Sequence, residues 1–330
     1  GLLVLAASAA GARPVWIDTD LSLGSPLREV DDGYALLLAL RSPELRVVGV
    51  STTYGNAPLP GTTARTQKSL GAFGSSLPVH PGAASPNDLG RATAASEALS
   101  AALRKEKLTY LALGPLTTLA TFLQLHPEQS ARIEAVVMVA GKTPAATLGF
   151  GPQEKFRIHD ANFFKDPAAV RAVFASKIPI LLAPIETSSR LLIDWADLRR
   201  LGESGGSGQY LASRSRTWLW FWTHFAHTRG GPIFVALAVG AAARSGGRSR
   251  PSGFLTRAPS PVSLPPLPCA LPSSPSPSLH QHAPHNGPRP QALRCSTQHA
   301  TPEQRATSAD FDGAWSDRFA ADGPWRSSAI

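Results

Sequence analysis

The chain has 330 residues, 43% of them hydrophobic, so it can bury at least one large core. Lys and Arg number 32 against 23 Asp and Glu, which gives a formal net charge of +9. This excess is local, because no acidic residue lies between Glu203 and Glu303, where Pro, Ser and Arg accumulate. Such a basic stretch, without a pattern of interleaved aromatic residues, indicates a solvated tail and argues against specific nucleic-acid binding.

Residues 1–12, GLLVLAASAAGA, combine an apolar run with small residues. This pattern is typical of the apolar region and cleavage site of a signal peptide, so we interpret the segment as the remnant of a targeting signal. The alternative is a buried first strand, which the small residues disfavour. A targeting remnant implies the secretory pathway or an organelle, and otherwise a cytoplasmic protein is expected. No other stretch of the sequence has the length and apolar character of a membrane span.

Residues 13–244 alternate short apolar runs with amphipathic ones, which predicts βαβ units in one α/β domain. The expected architecture is a mostly parallel central sheet flanked by helices, of the open Rossmann type. The predicted strands are Val15–Asp18, Leu45–Thr52, Leu108–Ala112, Ala135–Val139 and Ile178–Pro184. The predicted helices are Asp32–Arg41, Leu59–Phe73, Ala92–Lys105, Leu116–Leu125, Pro167–Phe174 and Trp218–His227.

Residues 245–330 are predicted to be a Pro/Ser-rich, low-complexity and mostly disordered tail. Their closely spaced prolines fit neither a helix interior nor a central strand. Both cysteines, Cys269 and Cys295, lie in this segment and have no metal-ligand spacing. The sequence therefore predicts one domain with a tail, rather than two domains.

Four carboxylates gather after the first predicted strand. Asp18 and Asp20 follow its apolar residues, and Asp31 and Asp32 open the next predicted helix. The end of a buried strand is unfavourable for so much negative charge unless a cation or a polyhydroxylated ligand meets it. Because no sulfur or imidazole accompanies these oxygens, a hard ion such as Ca²⁺ or Mg²⁺ is favoured. The preference of helix N-termini for acids accounts for only one of the four.

Further polar segments follow the other predicted strands, around Asn56, Thr117, Gly141 and Asp160. Ligands of parallel α/β sheets bind at the carboxyl ends of the strands, so these segments are expected to share a site with the carboxylates. Two local alternatives stay open. Asn56 could serve only its turn with the preceding glycine, and Asn162 could cap the helix predicted to begin near Pro167.

Six sequence blocks, taken together, resemble the inosine-uridine preferring nucleoside hydrolases. The resemblance runs from Pro14 to Gly240, about two thirds of the chain. The long loop between Gly24 and Asp31 resembles a branch of the family in which this loop is extended. In chain order the blocks read DTD…DDGYALLLAL, STTYGNA, LGPLTTLA, VVMVAG, DANFFKDPAAV and GGPIFVALAV.

The resemblance implies a nucleoside hydrolase-like fold and hydrolysis of the N-glycosidic bond of ribonucleosides by Ca²⁺-assisted attack of water, in purine or pyrimidine salvage. It implies a small-molecule ribonucleoside as substrate and a homo-oligomer as the assembled form. Asp20 would be the catalytic base. The implied metal ligands are Asp20, Asp32 and the backbone carbonyl of Thr117. The implied ribose-binding residues are Asp31, Asn56, Asp160 and Asn162.

The chain departs from the family pattern at several positions. Val235 stands where the family has a calcium-binding aspartate, and Phe234 where some members have a histidine. Asp160 and Ala161 replace the glutamate and phenylalanine of a Glu-Phe-Asn motif. The Pro/Ser-rich tail replaces the rest of the family fold, so the C-terminal third is atypical. Because valine offers no oxygen ligand, Val235 predicts impaired calcium binding and weak activity.

Two other functions are open on the sequence alone. A catalytically dead nucleoside- or sugar-binding domain, or a truncated product, would explain Val235 and the tail. A haloacid dehalogenase-type phosphatase, with Asp18 as nucleophile, Asp20 as acid and Mg²⁺ bound, would explain an apolar strand that ends in Asp-x-Asp. The later sequence blocks fit that enzyme badly. Of the three tryptophans in the helix predicted at Trp218–His227, we expect at least two to pack in the core.

Overall fold

A twisted sheet of short strands, covered by helices, organises the computed structural model, which describes residues 11–143, 146, 148–244 and the backbone of 256–257. The strands are β1 (Arg13–Thr19), β2 (Leu45–Thr52), β3 (Val79–Pro81), β4 (Leu108–Ala112), β5 (Ile133–Val139), β6 (Gly149–Phe150), β7 (Phe156–Arg157), β8 (Ile180–Ala183), β9 (Leu192–Ile193), β10 (Gly231–Pro232) and β11 (Thr256–Arg257). The α-helices are α1 (Asp31–Arg41), α2 (Leu59–Ala72), α3 (Ala94–Lys105), α4 (Thr117–Leu125), α5 (Ala161–Phe164), α6 (Pro167–Ala175), α7 (Ile185–Ser188), α8 (Trp195–Glu203), α9 (Gly206–Trp220) and α10 (Ala236–Arg244).

Within the described residues the central sheet has seven strands, in the order β11-β8-β5-β4-β1-β2-β3. Neighbours from β8 to β3 are parallel, and β11 joins β8 in antiparallel orientation at the edge. Two small antiparallel ribbons, β6 with β7 and β9 with β10, lie outside this sheet. The predicted α/β class with a mostly parallel sheet is confirmed.

Strand β1 lies near the middle of the sheet and is covered on both faces. Its residues Val15 and Ile17 are fully buried, and the strand pairs with β2 on one side and β4 on the other. A parallel strand covered on both faces needs a continuous apolar run, which the segment from Val15 to Ile17 supplies. The residues that follow β1 are therefore held over the centre of the sheet.

Local capping places two of the flanking helices. The side chain of Thr93 accepts a hydrogen bond from the backbone N of Ser96 at 3.1 Å and so begins α3. Asp166 accepts from the backbone N of Ala169 at 2.9 Å, directly before Pro167 at the first position of α6. Both arrangements satisfy backbone donors that a helix N-terminus leaves free. The cap of α6 also brings Asp166 to the carboxyl edge of the sheet.

The predicted bounds of β2 and β4 agree with the structure, whereas the helix predicted at Trp218–His227 has other bounds in the structure. In the structure α9 ends at Trp220, and a π-helical turn, Phe221–Phe225, follows it. Helices α8 and α10 were not predicted from the sequence. The alanine-rich run of α10 merges into the proline-rich composition that follows it, so no helix boundary is visible there.

Some sequence predictions lie outside the described residues. The predicted targeting remnant is described only at Gly11 and Ala12, and the predicted tail only at the backbone of β11. All described residues fall within one compact unit. In this part of the chain no helix combines the length and the hydropathy needed to cross a bilayer.

Candidate active site

Asp20 lies at the carboxyl end of β1 and is 2% exposed. Its Oδ2 accepts a hydrogen bond from the backbone N of Asn56 at 2.7 Å, and its Oδ1 accepts from Nδ2 of Asn56 at 3.3 Å. Asn56 belongs to the loop after β2, the strand beside β1. The structure therefore brings together two residues that the sequence analysis placed at neighbouring strand ends.

Two glycines leave room for the Asp20 carboxylate. Gly55 has φ +155°, and a Cβ added to it would lie only 1.9 Å from Oδ2 of Asp20. A Cβ on Gly114 would lie 3.2 Å from the Cβ of Asp20 and 2.9 Å from Cγ2 of Thr53. Bare backbone thus forms a cradle around the carboxylate, and larger residues at either glycine would displace it.

Asp31 and Asp32 form the first turn of α1 and are 4% and 1% exposed. The hydroxyl of Thr19, the last residue of β1, donates to Oδ1 of Asp32. Oδ2 of Asp31 accepts from the backbone N of Val235 at 3.2 Å. The end of β1, the start of α1 and the segment before α10 therefore meet around these two carboxylates.

Glu29 is a further acid at this place that the sequence analysis missed. It lies in the loop between β1 and α1, and its Oε2 accepts from Nε1 of Trp218 at 2.9 Å. Its carboxyl interacts electrostatically with Asp31 and Asp20. The signal available in the sequence was its position two residues before the Asp31 and Asp32 pair, inside the extended loop.

Burial is the main cause that raises the pKa of each of these four carboxyls. It raises the pKa of Asp20 to about 6 against the opposing charge of Lys165, and that of Asp31 to about 7. Burial and repulsion from Asp31 raise the pKa of Glu29 to about 8. Burial and repulsion from Asp20 raise the pKa of Asp32 well above its usual value. Neighbouring carboxyls whose pKa values are all raised indicate a pocket in which negative charge exceeds positive charge.

Asp18 is separate from this group because it lies inside β1. It is 1% exposed, and its Oδ1 accepts from the hydroxyl of Ser51 at 2.6 Å. The same hydroxyl oxygen accepts from Nε1 of Trp16 at 2.9 Å. Burial raises the pKa of Asp18 to about 7. This residue ties β1 to β2 and does not face an open surface.

Asp160 and Asn162 also lie at the carboxyl ends of the strands, next to β4 and β5. Oδ1 of Asp160 accepts from the backbone N of Asn162 at 3.1 Å, and Oδ2 accepts from the backbone N of Gly141 at 2.6 Å. Nδ2 of Asn162 donates to the carbonyl oxygens of Leu113 and Val139 at 3.0 and 3.1 Å. These contacts join the loops that follow β4 and β5 to α5.

The expectation that Asn162 could cap the helix near Pro167 is wrong, because Asp166 occupies the capping position of α6. Asp166 also accepts at Oδ2 from the hydroxyl of Thr117 at 2.7 Å. Thr117 is the first residue of α4, and its hydroxyl lies 3.1 Å from that of Tyr54. Thr117 is thereby fixed between the loop after β2 and the start of α6.

An aromatic cluster, Phe150, Trp222 and Phe234, adjoins the carboxylates. The ring of Phe150 lies 5.0 Å from that of Trp222 and 6.2 Å from that of Phe234. Phe234 directly precedes Val235, whose backbone contacts Asp31. Trp218 and Trp222 are each 1% exposed and Trp220 is 41% exposed, so the expectation that at least two tryptophans pack in the core is confirmed.

The donors of the pocket fit a hard divalent cation by their chemistry. Asp20, Asp31 and Asp32 offer only carboxylate oxygens, and these are buried with little opposing charge. The glycine cradle around Asp20 keeps one side of that carboxylate free of side-chain bulk. In the part of the chain that the structure describes, no three His, Cys, Asp or Glu side chains form a ready metal-binding group.

The model of the inosine-uridine preferring nucleoside hydrolases matches residues 15–264. The chain belongs to this family. By class it is thus an N-glycosyl hydrolase, from a family of generally metal-dependent enzymes that act on small-molecule nucleosides. The resemblance seen in the six sequence blocks is confirmed.

Two curated relatives in the nucleoside hydrolase family are pyrimidine-specific ribonucleoside hydrolases. The protein from Klebsiella pneumoniae is 31% identical over 225 residues, which cover 59% of this chain and 67% of the relative. The protein from Salmonella arizonae is 30% identical over 206 residues, 53% of this chain and 63% of the relative. The chain therefore spans about two thirds of the length of these relatives.

Solved nucleoside hydrolase structures share the fold. A plant nucleoside hydrolase superposes with a TM-score of 0.60 at 24% identity, over 71% of this chain and 79% of that protein. A purine-preferring ribonucleoside hydrolase from Gardnerella vaginalis gives a TM-score of 0.59 at 20% identity, over 71% and 80%. The predicted nucleoside hydrolase-like architecture is confirmed.

The phosphatase alternative is wrong. The family match assigns the chain to the nucleoside hydrolases. In addition, Asp18, the nucleophile of that alternative, is 1% exposed inside β1 and is bound to Ser51. A nucleophile must reach the substrate, and a carboxylate enclosed within the sheet does not.

Proposed function

We propose that this chain hydrolyses the N-glycosidic bond of ribonucleosides to ribose and free base, with Asp20 as the base that takes a proton from the attacking water. The observation that carries this proposal is the buried group of Asp20, Asp31 and Asp32 at the carboxyl edge of the sheet, in a chain of this family. Ligands of parallel α/β sheets bind at that edge.

Asp20 suits the role of base by its environment. Burial raises the pKa of its carboxyl to about 6, closer to neutral pH than an exposed aspartate, so it can accept a proton and release it again. The two hydrogen bonds from Asn56 fix the plane of the carboxylate. The positive charge of Lys165 favours the ionised form that a base requires.

Asp20, Asp32 and the backbone carbonyl of Thr117 would hold Ca²⁺, an ion that prefers oxygen ligands. When bound, this ion supplies a positive charge that lowers the pKa of a water molecule and orients sugar hydroxyls. The position of Asp32 in the first turn of α1 and its hydrogen bond from Thr19 keep its carboxylate at the end of β1.

Asp31, Asn56, Asp160 and Asn162 would bind the hydroxyls of the ribose. The amide nitrogen of Asn162 donates to two backbone carbonyls, so its Oδ1 is the atom that would face the sugar. Carboxylates on both sides of the pocket would favour the positive charge that develops on the ribose as the glycosidic bond breaks. The aromatic cluster of Phe150, Trp222 and Phe234 would cover the base.

The valine at position 235 is a reason to expect a low rate of nucleoside hydrolysis. Val235 is 4% exposed, and its backbone N donates to Oδ2 of Asp31 at 3.2 Å, so a buried residue without a side-chain oxygen directly contacts this carboxylate. The same observation favours the second candidate function, a catalytically dead domain that binds a nucleoside or its sugar. Turnover separates the two functions, because both predict binding of ribose.

The test is hydrolysis of uridine and of inosine by the full chain, followed as release of reducing sugar, in CaCl₂ and in EDTA. We expect slow turnover of at least one substrate in CaCl₂ and loss of turnover in EDTA. Asp20→Asn should lower turnover by about 10²- to 10⁴-fold, the usual contribution of a positioned base. Glu44→Gln is the matched control. Glu44 precedes β2 at the amino ends of the strands, whereas Asp20 lies at their carboxyl ends. Binding of nucleoside without turnover would favour the dead domain.

A further inference from the structure

We propose that the hydroxyl oxygen of Tyr54 accepts a hydrogen bond from one hydroxyl of the substrate's sugar. This inference rests on the proposed function, because it adds a residue to the site at which a ribonucleoside would bind. Tyr54 lies in the loop after β2, directly before Gly55 and Asn56, and the sequence analysis gave it no role.

The backbone of this loop fixes the position of Tyr54. The N–H of Tyr54 donates to the carbonyl oxygen of Ala83 at 3.0 Å. Two residues further on, the backbone N of Asn56 donates to Oδ2 of Asp20 at 2.7 Å. The side chain of Tyr54 therefore starts from a backbone that is anchored beside the proposed base. Anchoring of this kind sets the direction of a binding group before its ligand arrives.

The Tyr54 hydroxyl lies where three segments of the site meet. Its oxygen is 3.1 Å from Oγ1 of Thr117, the first residue of α4, and 3.4 Å from the carbonyl oxygen of Lys165, between α5 and α6. Asn162, one of the residues proposed to bind ribose, lies three residues before Lys165 and donates to the carbonyl oxygen of Leu113 at 3.0 Å. The side chain of Tyr54 thus reaches from the β2 side of the site to the β4 and β5 side.

Asp166 fixes the direction of the hydrogen bonds at Tyr54. The hydroxyl of Thr117 donates its single proton to Oδ2 of Asp166 at 2.7 Å, and Oδ1 accepts from the backbone N of Ala169 at 2.9 Å. Because Thr117 has no second proton, its oxygen accepts from the hydroxyl of Tyr54. Within the part of the chain that the structure describes, no group donates to the Tyr54 oxygen. Its lone pairs are therefore available to a ligand.

The exposure and charge of Tyr54 fit a sugar hydroxyl. Thr117 and Asp166 are 0% and 2% exposed, whereas Tyr54 is half-buried, so a ligand reaches this chain of hydrogen bonds at Tyr54. Burial raises the pKa of Tyr54 to about 12, so the phenol keeps its proton at neutral pH. Donation into a chain that ends on a carboxylate polarises the hydroxyl and strengthens its oxygen as an acceptor.

The test is binding of uridine and of its 2′-, 3′- and 5′-deoxy analogues by the full chain in CaCl₂. Tyr54→Phe removes the hydroxyl and keeps the ring. We expect it to weaken the binding of uridine about 3- to 10-fold, the effect of one hydrogen bond. The analogue that lacks the contacted hydroxyl should bind equally well to both chains and so identifies that hydroxyl. Tyr210→Phe is the control, because the ring of Tyr210 packs on Phe73 through α9, outside the site.

Calorimetric titration gives the Kd if the chain does not hydrolyse these nucleosides, and the KM replaces it if the chain does. A purely structural hydroxyl predicts a lower melting temperature for Tyr54→Phe and equal weakening of all four nucleosides. That result, unchanged binding of all four, or a wild-type chain that binds none of them would overturn the inference.

The same measurements separate this inference from the proposed function. Weaker binding of uridine by Tyr54→Phe, with one analogue unaffected and no hydrolysis by the wild-type chain, would support the inference and contradict the proposed function. Hydrolysis of uridine with the same KM in both chains would support the proposed function and contradict the inference.

Discussion

The two sides of the site hold their carboxylates in different ways. On the β1 side, burial raises the pKa of Asp20 and Asp31 to about 6 and about 7, and the acids repel one another. On the β4 and β5 side, Asp160 and Asp166 accept backbone N–H groups at the starts of α5 and α6. A carboxylate that caps a helix is satisfied by the fold, whereas Asp20, Asp31, Asp32 and Glu29 together carry charge that the fold does not neutralise. We therefore expect the β1 side to respond to cations and the other side to govern stability.

The largest effect is expected from the cradle around Asp20. Gly55→Ala would place a Cβ 1.9 Å from Oδ2 of Asp20, in a backbone conformation that favours glycine. We expect turnover of uridine or inosine to fall by about 100-fold, because displacement of a catalytic group by about 1 Å has effects of that size. Gly71→Ala is the control, since a Cβ there meets no atom within 4 Å. Equal turnover of both variants would contradict the cradle.

The second expected effect concerns the β4 and β5 side. Asp166→Ala removes the cap of α6 and leaves the Thr117 hydroxyl without its acceptor. We expect the free energy of unfolding to fall by about 2–3 kcal/mol, since both the cap and a buried hydrogen bond are lost. Denaturant unfolding measures this loss. Asp194→Ala, which removes the exposed cap of α8, should cost less, because water can replace the lost acceptor. A larger loss for Asp194→Ala would reverse the comparison.

A third experiment adds charge to the β1 side. Val235→Asp places a carboxyl beside Asp31 and should strengthen the Kd for Ca²⁺ about tenfold, with partial gain of nucleoside turnover. The neutral isostere Val235→Asn should gain less. Calorimetric titration and the sugar-release assay measure the two quantities. A folded Val235→Asp chain that gains neither would show that Val235 does not limit the site.

The smallest expected effect is the pH dependence of stability in EDTA. Burial raises the pKa of Asp20 to about 6 and that of Glu29 to about 8, so the folded chain keeps protons that the unfolded chain has released. The resulting stabilisation is full below the usual pKa of these acids and is lost as the pH rises through about 6 to about 8. We expect the melting temperature to fall over that interval, and CaCl₂ to oppose the fall. A melting temperature that rises from pH 6 to pH 8 in EDTA would contradict this account.

Much of the fold follows from local pattern. The bounds of β2 and β4 match the predicted ones because apolar runs flanked by polar residues are typical of buried parallel strands. The contact between Asp20 and Asn56 follows from the same reasoning, since parallel neighbouring strands end at one edge. Helix α9 was predicted only at its end, because Gly, Ser and Arg residues near its start have no clear apolar stripe.

Other features of the site depend on the folded chain. Nδ2 of Asn162 donates to the carbonyl oxygens of both Leu113 and Val139 because the fold brings two loops close together. No local sequence motif specifies that distance. The sequence pattern left capping open for Asn162, and the position of Asp166 decides it.

The sequence by itself determined a parallel sheet with carboxylates at its carboxyl edge, because hydrophobic periodicity and strand-end polarity are properties of neighbouring residues. Only the tertiary structure decided which distant groups complete that edge. Trp218 reaches Glu29 across 189 residues, and the backbone N of Val235 reaches Asp31 across 204. Contacts of this kind depend on how α9 and α10 pack beside β1 and α1, and packing is a property of the whole fold.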